Sequence, residues 1–367
     1  SSDYKYSNIR LQVKMQQKLV YFLTLLAAST QGAASFLPQQ HVASGAFQRN
    51  LVQQHPQQRQ LQPSGSPNLS HQVVGSIPRG GSSLNLSPSS IISNMLTTIT
   101  SNLQSGPSGI LALSSVTWSV VLPLTLFKKI YGIGVAYGFS VAAAGLTMLK
   151  VVSTSSSSQS AVLLAKACMF YGVRLGSYLL LRDYLRDYQT TVKNGSISSR
   201  VTFSASLAVF YALLTTPVLY ALRSTSAPDS AISMTGASLA WTGAILEAIA
   251  DLHKLIVKQQ QSSSDDKDKE DGKEFTGPDT WTYRICRHPN YLGEMIFWIG
   301  LFVGGVGSFG KSIPAWLGSS FGLAGILSIM LKAASGLEGR QKEKYEGQER
   351  YDTWKSKAKY SLIPFIQ

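Results

Sequence analysis

This sequence predicts an all-α fold: a polytopic membrane bundle of about seven helices behind a disordered N-terminal presequence. Three observations carry that expectation. From about residue 110 the chain is a series of apolar runs, each near the ~20 residues that cross about 30 Å of hydrocarbon. Lys and Arg gather in alternate loops between those runs. Before residue 110 the composition shifts to Ser, Gln, Pro and Gly, with too little apolar surface to bury.

In chain order, residues 1–14 read as an upstream remnant before Met15, taken as the natural start. Lys18, an apolar stretch over 19–28 and the small residues Gly32, Ala33, Ala34 and Ser35 follow. That is the pattern of a secretory signal peptide ending near residue 35. A first transmembrane helix is the alternative, but the stretch is short for one. Residues 36–109 form a Ser- and Gln-rich segment with no Asp or Glu, as in transit peptides. A signal peptide leading into Ala34-Ser35-Phe36-Leu37-Pro38 resembles the bipartite presequences of algae with complex plastids. A plastid membrane is then the expected location. The endoplasmic reticulum is the alternative, with the segment serving as a disordered tail.

Seven spans are expected at 110–127, 130–149, 161–181, 201–222, 231–250, 291–309 and 312–333. Lys128 and Lys129 alone separate the first two, which predicts a tight hairpin. An odd number of spans puts 128–129, 182–200, 251–290 and the tail after 333 on one side. Those regions hold most of the basic residues, including Lys128, Lys129, Arg182, Arg186, Lys193 and Arg200. The other side has little beyond Lys150, Arg223 and Lys311. The bias predicts that the basic side faces cytosol or stroma. It also accounts for the net charge of +14 without nucleic acid, since the basic residues flank apolar runs and form no dense stripe. Residues 259–274 are a charged, solvated insertion to which no function is assigned. The tail after Gly336 reads as a helix over the basic face, ending in an apolar anchor at 362–365.

The chemistry concentrates in three places. Arg287-His288-Pro289-Asn290-Tyr291-Leu292-Gly293-Glu294 stands where the sixth span enters the membrane. Pro289 suits the first turn of a helix, where its missing N–H is no loss. The free N–H groups and dipole there favour an anion, with Arg284, Arg287 and His288 beside them. Asn290 and Glu294 share one helical face. The bland alternative for the arginines is contact with lipid headgroups. Glu247 and Asp251, one turn apart at the end of the fifth span, want a cation or a hydrogen-bond partner, with Arg287 and Lys254 as the candidates. A structural ion pair is the alternative there. Within the third span Tyr171, Arg174 and Tyr178 recur on one face. Arg174 must point into the bundle, and Tyr171 is placed to donate a proton or simply to pack.

No metal is expected, because only His253 and His288 follow the N-terminal segment and no Cys/His spacing suits zinc. No P-loop or dinucleotide glycine fingerprint is present, so a nucleotide would have to bind within the helices. Cys168 and Cys286 are too few for a disulfide framework.

Taken together, these residues resemble the steroid 5α-reductase C-terminal domain superfamily, in its DUF1295-like branch. The resemblance covers about 161–367. It rests on Gly172-Val173-Arg174-Leu175, Glu247-Ala248-Ile249-Ala250-Asp251, Asn290-Tyr291-x-Gly293-Glu294 and the tail from Ser335-Gly336 through Tyr345 and Tyr351 to Ile363-Pro364-Phe365. It implies a seven-helix membrane reductase that uses NADPH to saturate a C=C bond conjugated to a carbonyl in a lipid. The lipid would be sterol-like, isoprenoid or fatty-acyl. The implied cofactor residues are Asp251, Arg287, His288, Asn290, Tyr291, Glu294, Arg340 and Tyr351. Tyr171, Arg174 and Tyr178 would face the substrate, and Tyr171 and Glu294 would be catalytic. Two departures stand out. Steroid reductases pair the tyrosine with a glutamate on an earlier helix, yet no acidic residue lies between Asp3 and Asp183 here. The charged insertion before Arg284 is the second. Two other classes stay open. Isoprenylcysteine and phospholipid methyltransferases, which bind S-adenosylmethionine, share the Arg-His-Pro-x-Tyr element. A non-catalytic lipid-binding membrane protein would retain the same residues as a relic.

Overall fold

The computed structural model describes residues 88–185, 195–224, 230–262, 275 and 277–363. The expected signal peptide, most of the transit-like segment, residues 263–274 of the insertion and 364–365 of the C-terminal anchor lie outside the described residues. From Ile92 onward the described residues form one compact unit. Of a second unit, Gln17–Ile91, only the first turn of one helix is described.

Nine α-helices and no strands occur among the described residues. They are α1 (Pro88–Gln104), α2 (Gly109–Phe127), α3 (Val135–Thr147), α4 (Gln159–Leu185), α5 (Ile197–Arg223), α6 (Ala231–Ser262), α7 (Pro289–Val306), α8 (Ile313–Tyr345) and α9 (Glu349–Lys357). A 3₁₀ turn, Lys129–Gly132, joins α2 to α3 as the expected tight hairpin, and a π turn, Met148–Val152, closes α3. The caps follow the chain's own chemistry. Ser196 accepts from the Ser199 N–H to start α5, and Ser312 accepts from Ala315 to start α8. Pro289 takes the first turn of α7, as its missing N–H predicts.

Among the described residues six helical stretches are long and apolar enough to cross a membrane, matching six of the seven expected spans. The expected span at 291–309 appears as α7 and is not among the six. Its first turns carry Asn290, Tyr291 and Glu294, which lower its hydropathy, and its core face is buried. A second difference concerns 36–109, expected to be disordered throughout. Residues 88–104 instead form α1, because Ile92, Met95, Leu96, Ile99 and Leu103 recur at helical spacing and Leu103 is buried.

Small residues set the packing that positions the site. Without a hydrophobic drive between helices in lipid, close backbone approach supplies dispersion contacts. Gly236, Ala240 and Gly243 of α6 face Gly293, Gly300 and Gly304 of α7. A Cβ added at Gly293 would lie 2.7 Å from the Glu247 nitrogen, so only glycine fits there. This contact brings Glu247 and Glu294 into neighbouring turns of touching helices. Likewise Gly138 of α3 meets the backbone of Gly172 and Gly176 of α4, which draws Tyr137 and Tyr171 together.

Candidate functional site

Four helices place polar side chains in the middle of the bundle. The Tyr137 hydroxyl, from α3, donates to Glu294 Oε1 of α7 at 2.6 Å. Trp298, one turn beyond Glu294, donates its indole N–H to the same hydroxyl at 2.9 Å. The Tyr171 hydroxyl of α4 lies 3.2 Å from that of Tyr137. With Tyr137's proton committed to Glu294, Tyr171 is the donor in that pair. Tyr171 is fully buried, and Phe297 stacks on its ring with centroids 4.0 Å apart. The result is a dry chain of groups, Tyr171 to Tyr137 to Glu294, in which each hydroxyl can pass a proton.

Arg174 lies one turn from Tyr171, its guanidinium 5.5 Å from the Tyr171 ring. Its Nη1 donates to Asp251 Oδ2 at 2.7 Å, and Nη2 is 2.8 Å from Glu247 Oε1, though out of line for a hydrogen bond. Arg174 therefore supplies the cation that the two carboxylates of α6 require, and they supply the partner that a mid-helix Arg requires. Capacity remains in this group: Arg174 Nε and Glu247 Oε2 are buried without a hydrogen-bond partner. Asn290, one turn before Glu294, likewise keeps a buried carbonyl oxygen without one.

Arg287 and His288 belong to a different cluster at the basic end. Arg287 grips Glu338 of α8 through Nε at 2.6 Å and Nη2 at 2.9 Å. Its Nη1 donates to the Ala358 and Lys359 carbonyls at 2.8 and 2.9 Å. His288 Nε2 and Ser361 Oγ also reach Glu338, each at 3.0 Å. The Arg287 and His288 backbone N–H groups bond to the Tyr360 and Ser361 carbonyls. The ring of His288 stacks on Tyr291. This arrangement latches the C-terminal segment onto the start of α7.

The remaining expected residues are spread around the same end. Tyr351 is buried among Phe275 and Trp354, with Tyr345 beside it. Arg340 is exposed on α8, and Tyr178 is half-buried with the Arg182 guanidinium over its ring. Cys286 is buried, and burial pushes its thiol up to about 11, so it stays protonated and weakly nucleophilic. The sequence pointed to Tyr171, Arg174, Glu247, Asp251 and Glu294, and the structure brings these together. Tyr137, Trp298 and Glu338 were not singled out. Trp298 could have been found from its place one turn after Glu294. Tyr137 gave only the weak signal of a hydroxyl in an otherwise apolar, charge-free run.

Comparison with known proteins adds one finding. The family profile described as "Protein of unknown function (DUF1295)" matches residues 124–358, which include every residue of both clusters except Lys359, Tyr360 and Ser361 at the latch. No curated protein and no solved structure matches the chain.

Proposed function

The chain belongs to the DUF1295 family, and from that premise we propose that it is a membrane-embedded, NADPH-dependent reductase of a lipid C=C bond conjugated to a carbonyl. One observation carries the proposal: a buried tyrosine whose hydroxyl is wired through a second tyrosine to a carboxyl group, inside a membrane bundle. Polar groups at membrane depth are costly and are retained mainly where they act.

The residues present fit a nicotinamide cofactor. Asn290 offers a buried, unpartnered amide oxygen one turn from Glu294, which suits an amide N–H or a sugar hydroxyl. Arg284 and Arg340 are exposed at the same end, where phosphate charge would be met. When bound, NADPH would supply a hydride to the β-carbon of the unsaturated carbonyl. The protein's share is proton handling and positioning. Tyr171 would turn its O–H from Tyr137 to the substrate carbonyl and give up that proton as charge develops on the oxygen, and the enol so formed would become the saturated carbonyl by gaining a proton at the α-carbon and losing the one on oxygen. To refill Tyr171, Glu294 would act as the neutral acid, donating to Tyr137 while Tyr137 donates to Tyr171, the reverse of the resting direction. A positioned acid of this kind contributes about 10²–10⁴-fold. Arg174, held by Glu247 and Asp251, would fix the face of α4 that carries Tyr171. The dry surroundings strengthen each of these interactions.

The test is ligand stabilisation of the full chain in lipid nanodiscs. Saturable elevation of the melting temperature by NADPH is expected, with no effect of S-adenosylmethionine. Stabilisation by S-adenosylmethionine alone would overturn the reductase reading in favour of methyl transfer.

A further inference from the structure

We infer that α1 is an in-plane amphipathic helix whose apolar face rests in one leaflet of the bilayer, at the headgroup–acyl boundary. The inference needs only the membrane character of the bundle and not its chemistry.

The helix carries a marked amphipathic pattern with no charged residue. Ile92, Met95 and Leu96 lie on one face, each 59% exposed, continuing the line of Ile99 and the buried Leu103. Such a face, left open to water, would be an unusual exposure of contiguous apolar surface.

Three contacts fix the level at which α1 sits. Arg223, the last residue of α5, donates to the Leu103 carbonyl at 2.9 Å and also to those of Asn102 and Gly106. Gln104 donates to the Val151 carbonyl, at the end of the π turn that closes α3, at 3.0 Å. Ser105-Gly106-Pro107-Ser108 then separates α1 from Gly109, where α2 begins. The C-terminal end of α1 is therefore pinned where three spans meet one membrane surface. The lipid-facing belt continues there. Leu111 at the start of α2 and Ile313 and Leu317 at the start of α8 are exposed, and Trp316 stands among them as an interfacial aromatic. Gly318 packs beside Ile110, which makes these two helix starts neighbours.

The polar face fits the same depth. Thr97 and Thr98 donate their hydroxyls to the Ser93 and Asn94 carbonyls one turn earlier, at 2.9 and 2.8 Å. Hydroxyls satisfied within the helix need less water. With no charge on the helix, insertion draws on apolar burial rather than on attraction to anionic lipid.

The experiment attaches a small fluorophore at Met95→Cys, on the apolar side, or at Asn94→Cys, about 100° round the helix on the polar side, in the full protein reconstituted in phosphatidylcholine vesicles. Cys168 and Cys286 are buried and serve as the unlabelled background. The label at 95 is expected to be quenched severalfold more by lipids spin-labelled high on the acyl chain than by aqueous iodide. The label at 94 should show the reverse, and adding phosphatidylglycerol should change neither. Strong iodide quenching at 95 would overturn the inference. Protection at 95 from both quenchers would also overturn it, and would assign the face to a second copy of the chain.

Discussion

Two buried arginines anchor the two polar clusters of this protein, and they spend their hydrogen-bonding capacity differently. Arg287, at the basic end, directs Nε, Nη1 and Nη2 to a carboxylate and two carbonyls of the chain itself. Arg174, in mid-bundle, holds two carboxylates but leaves Nε without a partner, and Glu247 Oε2 and nearby Asn290 Oδ1 are unpaired as well. A closed network stabilises and a partly open one keeps groups available, at a cost the packing must offset. The Arg287 latch is closed on the chain itself, and the proposed chemistry rests on the open groups around Arg174, Tyr171 and Glu294.

Substitutions on the two sides break or sharpen that contrast. The largest effect is expected from Glu294→Gln, which keeps shape but removes the acid; turnover should fall by about 10²–10⁴-fold with the melting temperature nearly unchanged. A variant that is inactive because it does not fold would move Glu294 to the structural side. Arg287→Ala should do the opposite and lower stability by roughly 3 kcal/mol, since it takes the guanidinium from Glu338, leaving it only His288 and Ser361, and unpairs two carbonyls. Limited proteolysis should then cut within the last helix and its tail. Unchanged thermal stability would deny the latch. Tyr137→Phe breaks the link between Tyr171 and Glu294, a loss of about 1.5 kcal/mol or roughly tenfold in kcat. Equal effects on KM and kcat would instead indicate a packing role. The smallest effect belongs to Asn290→Ala, expected to raise KM for the cofactor a few-fold, with about 1 kcal/mol at stake, and to leave kcat alone.

Much of this arrangement was legible in the residues. Apolar runs and the Lys/Arg bias gave the spans, because the membrane imposes length and composition together. Each charged residue inside a span announced a need for a partner, and Arg174 with Glu247 and Asp251 answers two such needs at once. The identity of the partner was not legible. Lys254 and Arg287 were nearer in sequence to the carboxylates, but the glycine contacts of α3 with α4 and α6 with α7 decide which faces meet. The same limit hid Tyr137. A tyrosine in an apolar run becomes informative only when a carboxyl group is brought beside it by helix packing. The carboxyl group beside Tyr171 comes from α7 and reaches it through Tyr137. The helix α1 was overlooked because its Ser- and Thr-rich composition resembles the disordered stretch before it, while its apolar spacing is helical.

The most direct test of the central claim uses NADPH carrying deuterium at the transferable position, incubated with the nanodisc-embedded protein and an extracted lipid mixture. Mass spectrometry should find lipids that have gained one deuterium on a carbon of the newly saturated bond, with the signal lost in Glu294→Gln and Tyr171→Phe and kept in Arg287→Lys. Labelled lipid formed equally by the Glu294→Gln and Tyr171→Phe variants, or no transfer to any lipid while a labelled methyl group is taken from S-adenosylmethionine, would contradict the account.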